Sequence, residues 1–472
     1  MSFRLLLAPL FLISCAGDTP VAPTPTPRPP PPPAPSIDYS KEAANLNVIF
    51  ISMDALRFDA TGAGGSHLTP NLDEFAKEAV VFTHTTSAAP WTVPSHMAMF
   101  TSRWPTHHGI VNKLKPDPKG ELVFMELDPS IKTFPETLIG AGWKAVAFTG
   151  GAGVQSKFGY GHGGFETYLD DKPFAGMDYS GPPAMAWLAE HKAEHFFMFF
   201  HGYDAHGQHP LLDQDPRVVV PDYKGKLDGG IEEQAKLREQ GLAAIVKPGD
   251  AANLDGVIDA EDTRFLKAIY DAKVKAADER LGKFLATAKE NGLLDKSIIA
   301  IVGDHGEEFM EHHYLDHGAT LCEHQLHVPM MIRFPKGEQH KVIDAPVRTI
   351  DVFPTIFAAL GVKGPDNVDG TSLLPLIKEE KLDLPIFAES DYRLFVHLRG
   401  TRLGDKKLIL DLEDGQKSLF DVSADPNETN DLSATDARST YEMEQSVRAW
   451  MESMNTKPET YLGVEEEHIK LF

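Results

Sequence analysis

Cysteine is nearly missing: only Cys15 and Cys322 occur in 472 residues. A disulfide framework is thereby excluded as the source of stability, which must come from a packed core. Positive charge is short as well, with 45 Lys and Arg against 69 Asp and Glu and a formal charge of −24. A surface that tracks the phosphates of a nucleic acid needs clustered Lys and Arg, so nucleic acid is excluded as a partner. An anionic substrate would have to be drawn by a local positive device such as a metal ion. Apart from the N-terminal run described next, no segment is apolar enough to cross a membrane. The length suffices for one large domain and a smaller one.

Residues 1–15 carry one basic side chain, Arg4, and then the apolar run Leu5 to Ile13. The run is too short to span a bilayer and has the dimensions of a signal-peptide core. It closes in Leu12-Ile13-Ser14-Cys15, which resembles the lipobox of bacterial lipoproteins, where the signal is cut before a cysteine that carries lipid. Residues 1–15 are therefore expected to be a lipoprotein signal peptide ending at a lipidated Cys15. The protein is expected in the cell envelope, periplasmic or at the surface, its membrane partner met through that lipid. Residues 16–44 follow as a linker: Thr19 to Ser36 is dominated by Pro, Ala and Thr and includes Pro29 to Pro33. Such a composition cannot pack a core and favours extended polyproline II, a semi-rigid tether.

Beyond the linker, three apolar runs end in Asp or His. Val48-Ile49-Phe50-Ile51 leads to Ser52-Met53-Asp54, Phe196 to Phe200 leads to His201 through His206, and Ile298 to Val302 leads to Gly303-Asp304-His305. Continuous apolar runs of this length are strands buried on both faces, and Ala145 to Phe148 and Met330 to Phe334 are further strands. Helical patterns lie between, such as Leu72, Phe75, Ala76 and Ala79 after Thr69-Pro70, and Phe265 to Ala288. The alternation predicts an α/β fold with a mostly parallel central sheet and helices on both faces. Ligands of such sheets bind beyond the carboxyl ends of the strands. Three strand ends that converge there with carboxylate and imidazole make a divalent-metal site. Thr92, in Pro90-Trp91-Thr92-Val93-Pro94-Ser95-His96, stands at the start of a helix that Met97 to Thr101 continues. It is either a nucleophile placed where backbone N–H groups favour an anion, or a plain N-cap.

These residues resemble a known family. Asn47 to Arg57 is similar to the opening of sulfatases in the alkaline phosphatase superfamily. Thr92-Val93-Pro94-Ser95-His96, Thr101-Ser102-Arg103-Trp104-Pro105 and His108-Gly109 resemble their C/S-x-P-S-R, TGRYP and HG segments. Gly303 to Glu308 with His317-Gly318 and Val328-Pro329, then Asp351 to Gly361, Asp369 to Leu373, Ser418 to Asp421 and Ala424 to Leu432, continue the likeness in order. The resemblance implies an alkaline phosphatase-like catalytic domain over residues 45–380 and a smaller C-terminal α+β subdomain over residues 381–472. It implies a hydrolase acting on a sulfated or phosphorylated small molecule or glycan. The alternatives are an envelope phosphoryl-group transferase and an inactive, tethered glycan-binding protein.

By the same resemblance Asp54, Asp304 and His305, with Thr92, hold one divalent metal ion, and the candidates are manganese, zinc and calcium. Ala55 stands where calcium-binding arylsulfatases have a second aspartate, and Asp304-His305 looks like the phosphonate monoester hydrolase side of the family. One carboxylate fewer and one imidazole more favour manganese or zinc. His206 and His317 match positions that bind the substrate anion or protonate the leaving oxygen. Asn112 and His96 are assigned to substrate binding, His96 taking the place of the arginine after P-S. Arg57 reads as a supporting salt bridge, and a second metal at His201 and His209 is discounted. Thr92 itself departs from the family, because sulfatases oxidise Cys or Ser to formylglycine and a β-branched threonine has no route to an aldehyde. Gly150-Gly151-Ala152 also lacks the family's basic Lys-x-His. Finally, Asp250 to Asp262 has the glycine and acidic spacing of an EF-hand-like loop but Ala251 at the first ligand position, and is read as a glycine turn before a helix.

Overall fold

The three runs that end in Asp or His are the three central strands of one sheet. In the computed structural model, which describes residues 37–160, 164–210, 215–246, 254–337 and 339–454, Asn47–Met53 lies between Phe196–Gly202 and Ser297–Gly303, parallel to both. The assignments of signal peptide, Cys15 and most of the linker lie outside the described residues, as do Asp250 to Asn253 of the acidic loop. Every residue of these three strands is buried. Alternate side chains serve opposite faces: Val48, Phe50, Phe197, Phe199 and Ile298 join one core, and Ile49, Ile51, Phe196, Phe200 and Ile299 join the other. That two-sided burial is why the runs are apolar at every position instead of at every second one.

Across the nine-stranded sheet the order is Lys341–Ile343, Val80–Thr86, His327–Arg333, Ser297–Gly303, Asn47–Met53, Phe196–Gly202, Lys144–Phe148 and Thr167–Leu169, with Val347–Arg348 also pairing to Val80–Thr86. The helices Thr92–Thr101 and Val352–Leu360 cover the first face, where Phe100 and Phe353 pack on Phe50 and Phe199. The long helix Ala260–Glu290 and the helix Met177–Glu190 cover the second, and Phe284 stacks on Phe200 at 4.4 Å. The α/β fold with helices on both faces is therefore present, with one modification. His327–Arg333 runs antiparallel to both of its neighbours. No crossover helix separates it from Ser297–Gly303; only a two-stranded hairpin and the short helix Glu323–Leu326 intervene, so the chain re-enters the sheet from the edge it has just left.

The C-terminal part forms a separate four-stranded antiparallel sheet, in the order Ile386–Ser390, Leu398–Leu403, Lys406–Asp411 and Lys417–Asp421. The helix Ala437–Ser453 packs Met443 and Val447 on Leu408, Leu410 and Leu419. Its Trp450 stacks on Phe387 at 4.6 Å and meets Trp104 edge-on at 5.8 Å, which ties this sheet to the segment following Thr92–Thr101. The described part of the acidic loop is a turn and a helix cap. Leu254–Gly256 is a single 3-10 turn, and Asp259 accepts from the backbone of Glu261 and Asp262 at the start of the long helix. No described helix is long and apolar enough to cross a membrane.

Candidate active site and metal centre

Strand register assembles the site. Met53 pairs with Gly202 on one side and with Gly303 on the other, so the residues that follow, Asp54 and Asp304, leave the sheet at the same edge. Asp54, Asp304 and His305 are buried, and each offers a ligand atom within 4.8 Å of the others'. The backbone is fitted to this arrangement. Ala55 holds a left-handed φ of 54° with its N–H donating to Asp304 Oδ1 at 3.1 Å, and such strain in a non-glycine residue persists only where surrounding structure imposes it. Ser87 and Ser95 both donate to the carbonyl of Asp304, which gives the serine of the Pro94-Ser95 motif its structural role.

Thr92 is the first residue of its helix. Trp91 holds the N-cap position and makes no side-chain cap, so the N-cap reading of Thr92 does not apply. Its Oγ1 donates to Asp54 Oδ2 at 3.2 Å and lies 3.3 Å from His305 Nε2. A glycine makes room for the methyl group. A Cβ on Gly153 would meet Thr92 Cβ and Cγ2 at 3.0 Å, closer than side chains ordinarily pack. His305 donates from Nδ1 to the Gly306 carbonyl at 2.8 Å, and burial pushes its pKa down to about 4, so the neutral ring presents the Nε2 lone pair to the cluster.

The donor set fits a divalent cation on an observation of its own. Asp54 Oδ1 and Asp304 Oδ2 are buried and have no hydrogen-bond partner among the described residues. Burial, and then the charge of Asp304, hold the Asp54 carboxyl well above the usual carboxylate range. Two buried carboxylates beside a lone-pair nitrogen lack a positive charge that no described side chain supplies.

In front of the cluster lies a cavity to which Thr92, Asn112, Lys113, His206, Arg238 and His317 all contribute. His317 Nδ1 lies 3.1 Å from both Glu307 Oε1 and Asp316 Oδ1. Burial disfavours its charge, but the two carboxylates outweigh that and hold its pKa above the ordinary histidine value. His206 is opposite in character: burial, then the charges of His317 and Arg238, push its pKa well down. Its Nδ1 accepts from the Gln208 backbone N–H at 3.0 Å, which leaves the proton of the neutral ring on Nε2. The two rings meet edge to face at 4.9 Å. Asn112 donates from Nδ2 to the Asp391 carbonyl, and its Oδ1 is buried without a partner among the described residues.

Other assignments change. His96, expected to meet substrate, is wholly buried: Nδ1 donates to the Thr92 carbonyl at 3.0 Å and Nε2 accepts from Ser52 at 2.8 Å. Both nitrogens are used, so His96 braces the site from behind the cavity. Arg57 pairs with Asp59 and Glu311 at 2.6 and 2.7 Å, in keeping with a supporting role. His201 is buried with neither nitrogen hydrogen-bonded among the described residues, its Nε2 3.6 Å from Asp54 Oδ2. The group Asp178, Asp204 and His209 does not read as a second metal site, because Asp204 already binds Arg280 and the Met177 N–H. Sequence reasoning passed over Lys113, Arg238 and Arg393, which also face the cavity. No local motif marks them, because the segments that carry them have ordinary mixed charge.

Comparison with known proteins shows the family and the fold. A family model described as Sulfatase matches residues 46–362, and one described as N-sulphoglucosamine sulphohydrolase, C-terminal, matches residues 310–457. Arylsulfatase K of Xenopus laevis is 26% identical over 202 residues, which is 40% of this chain and 38% of that protein. An arylsulfatase of Clostridium perfringens is 28% identical over 190 residues, again 38% of each. The chain thus matches under two fifths of the length of these curated relatives. Among solved structures, a complex with its substrate D-glucosamine-2-N,6-O-disulfate superposes with a TM-score of 0.68 at 19% identity, covering 89% of this chain and 100% of that one. The phosphonate monoester hydrolase of Agrobacterium radiobacter superposes with a TM-score of 0.66 at 19% identity, covering 86% and 96%. At that identity the likeness is one of fold.

Proposed function

The chain belongs to the sulfatase family, and from that premise we propose that it is a metal-dependent hydrolase of a sulfate, phosphate or phosphonate ester with Thr92 as its nucleophile. One observation carries the reading: Thr92 Oγ1 lies between Asp54 and His305, beside buried carboxylate oxygens that have no hydrogen-bond partner among the described residues. Asp54, Asp304, His305 and Thr92 would hold one divalent ion, and an imidazole among three oxygens suits manganese or zinc better than calcium. When bound, the ion lowers the pKa of the Thr92 hydroxyl and offsets the charge on the ester oxygens.

The other steps belong to the chain's own residues. Thr92 Oγ1, its hydroxyl proton already lost to solvent, attacks sulfur or phosphorus as the alkoxide while the bond to the leaving oxygen breaks, and His317, held as the cation, gives that oxygen its proton. His206 donates from Nε2 to a non-bridging oxygen of the ester. Water then attacks the same sulfur or phosphorus and frees Thr92, with the neutral His317 taking the proton back. The substrate would be a sulfated or phosphorylated small molecule or glycan, and the sulfated sugar in a structural neighbour supports a sugar. The test is turnover of nitrophenyl sulfate, phosphate, phosphodiester and phosphonate by protein loaded in turn with manganese, zinc and calcium. Turnover of none with any metal would sink the reading.

A pH profile checks the acid. His317 has a folded pKa above its unfolded value, so the protonated form it contributes is complete at low pH and lost as pH rises through the folded pKa. Glu307→Gln removes one of the carboxylates that raise it, and the basic limb of kcat is expected to move to lower pH. A limb that stays in place assigns the proton to another group.

We also place the protein at the envelope membrane through a lipid on Cys15, a reading that rests on the N-terminal sequence alone. Cys15→Ala is expected to move the protein from the detergent-extracted membrane fraction to the soluble one. Equal partition of both forms would leave a plain secretory signal in its place.

A further inference from the structure

Besides Thr92, His206 and His317, three cations line the cavity: Lys113, Arg238 and Arg393. Arg238, 6% exposed on the helix Ile231–Val246, lines the cavity with its Nε 3.3 Å from Asp316 Oδ2. Its Nη1 is buried and has no hydrogen-bond partner among the described residues. The guanidinium passes close to Gly207, where a Cβ would lie 2.8 Å from Nη1. Lys113, directly after Asn112, lines the same cavity with its Nζ 5.8 Å from the centre of the Phe174 ring. Among the described residues no carboxylate forms an ion pair with it. Arg393 completes the wall from the C-terminal side, paired at 2.8 Å with Glu239 of the same helix that carries Arg238.

Asp316 and Glu307 pair with Arg238 and His317, and Glu239 pairs with Arg393. The charges of Asp54 and Asp316 reach Lys113 without forming an ion pair with it. Burial, and then the neighbouring charge of Arg393, push the Lys113 pKa down to about 8. Lys113 is half-buried, and a partly buried cation with no ion pair is free to meet an anion that enters the cavity. A lysine without an ion pair and a buried, unpartnered guanidinium nitrogen on the walls of one cavity offer an anion two charged donors.

We infer that Lys113 and Arg238, with Arg393 behind them, form a subsite for a second anionic group on the substrate. The substrate would then carry a carboxylate, sulfate or phosphate in addition to the ester that Thr92 attacks. The inference rests on the hydrolase reading for which group reacts, but it concerns binding and is tested by binding.

The probes are phenylphosphonate and its ortho, meta and para carboxy and sulfo derivatives, titrated calorimetrically into the metal-loaded protein. At least one doubly anionic isomer is expected to bind about ten-fold more tightly than phenylphosphonate, the yield of one added charge-assisted contact. That ratio is expected to fall to about one in Arg238→Gln and in Lys113→Gln. The lysine variant has no ion pair to lose, so it keeps the test valid if Arg238→Gln fails to fold. Equal affinity of every isomer with phenylphosphonate, no binding by any probe, or an advantage that survives in Lys113→Gln overturns the subsite. Tighter binding of a doubly anionic probe by a protein that turns over no ester would sink the hydrolase reading and keep the subsite. Ester turnover without such an advantage would do the reverse.

Discussion

Asp304→Asn is expected to yield a folded protein whose divalent-metal affinity has fallen by at least about a hundredfold. The substitution keeps the shape of the side chain, and its Oδ1 can still accept from the N–H groups of Ala55 and His305. What it removes is one of the two buried negative charges, at the oxygen that now has no partner. Without metal those charges work against each other, as the raised pKa of Asp54 records. The metal-free variant is therefore expected to melt at a higher temperature than the metal-free wild type, although it binds metal less well. The sign of the pH dependence follows as well. A carboxyl with a folded pKa above its unfolded value makes the metal-free protein lose stability as pH rises between those values, because the charged form is the disfavoured one. The ion competes with that proton, so the melting increment on adding manganese or zinc should grow with pH. Elemental analysis and paired melting curves check both statements. Equal metal content in variant and wild type would move the site elsewhere.

The strands that carry these ligands were legible because parallel strands covered on both faces must be apolar at every position, and few other structures demand that. The direction of His327–Arg333 was not, since an antiparallel strand in the middle of such a sheet is buried just as completely. His96 shows a second limit. It lies four residues after Thr92 on one helix and so shares its face, which is as far as spacing can go. The ring turns back to the Thr92 carbonyl and to Ser52, and only the packing under Asp304 reveals that. Arg238 shows a third limit: in sequence it sits beside Glu232, Glu233 and Glu239 as one charge on an ordinary helix. Its meaning comes from Asp316, 78 residues away and unrelated to it by any local pattern.

Thr92→Ala is expected to lower kcat/KM by at least about a thousandfold on every ester the protein turns over, with the melting temperature little changed and the metal held less tightly for want of one oxygen. Thr92→Ser should keep a substantial fraction of activity, because it retains the oxygen between Asp54 and His305 and loses only the methyl that rests on Gly153. The wild-type preference among esters is then a question about the second half of the reaction. Attack at phosphorus leaves a phosphate or phosphonate ester of Thr92, which water can reopen at phosphorus. Attack on a sulfate ester leaves a threonine sulfate, and its release has none of the hemiacetal elimination that a formylglycine hydrate supplies. Turnover of nitrophenyl phosphodiester or phosphonate is therefore expected to exceed that of nitrophenyl sulfate, against the usual substrate of the family. If sulfate attack does occur, the first turnover should outrun the rest, with a burst of nitrophenol matching the enzyme concentration and a sulfated Thr92 peptide in the mass spectrum. A clear steady-state preference for the sulfate ester by the unmodified protein would sink the argument from threonine, and undiminished activity in Thr92→Ala would remove Thr92 from the chemistry altogether.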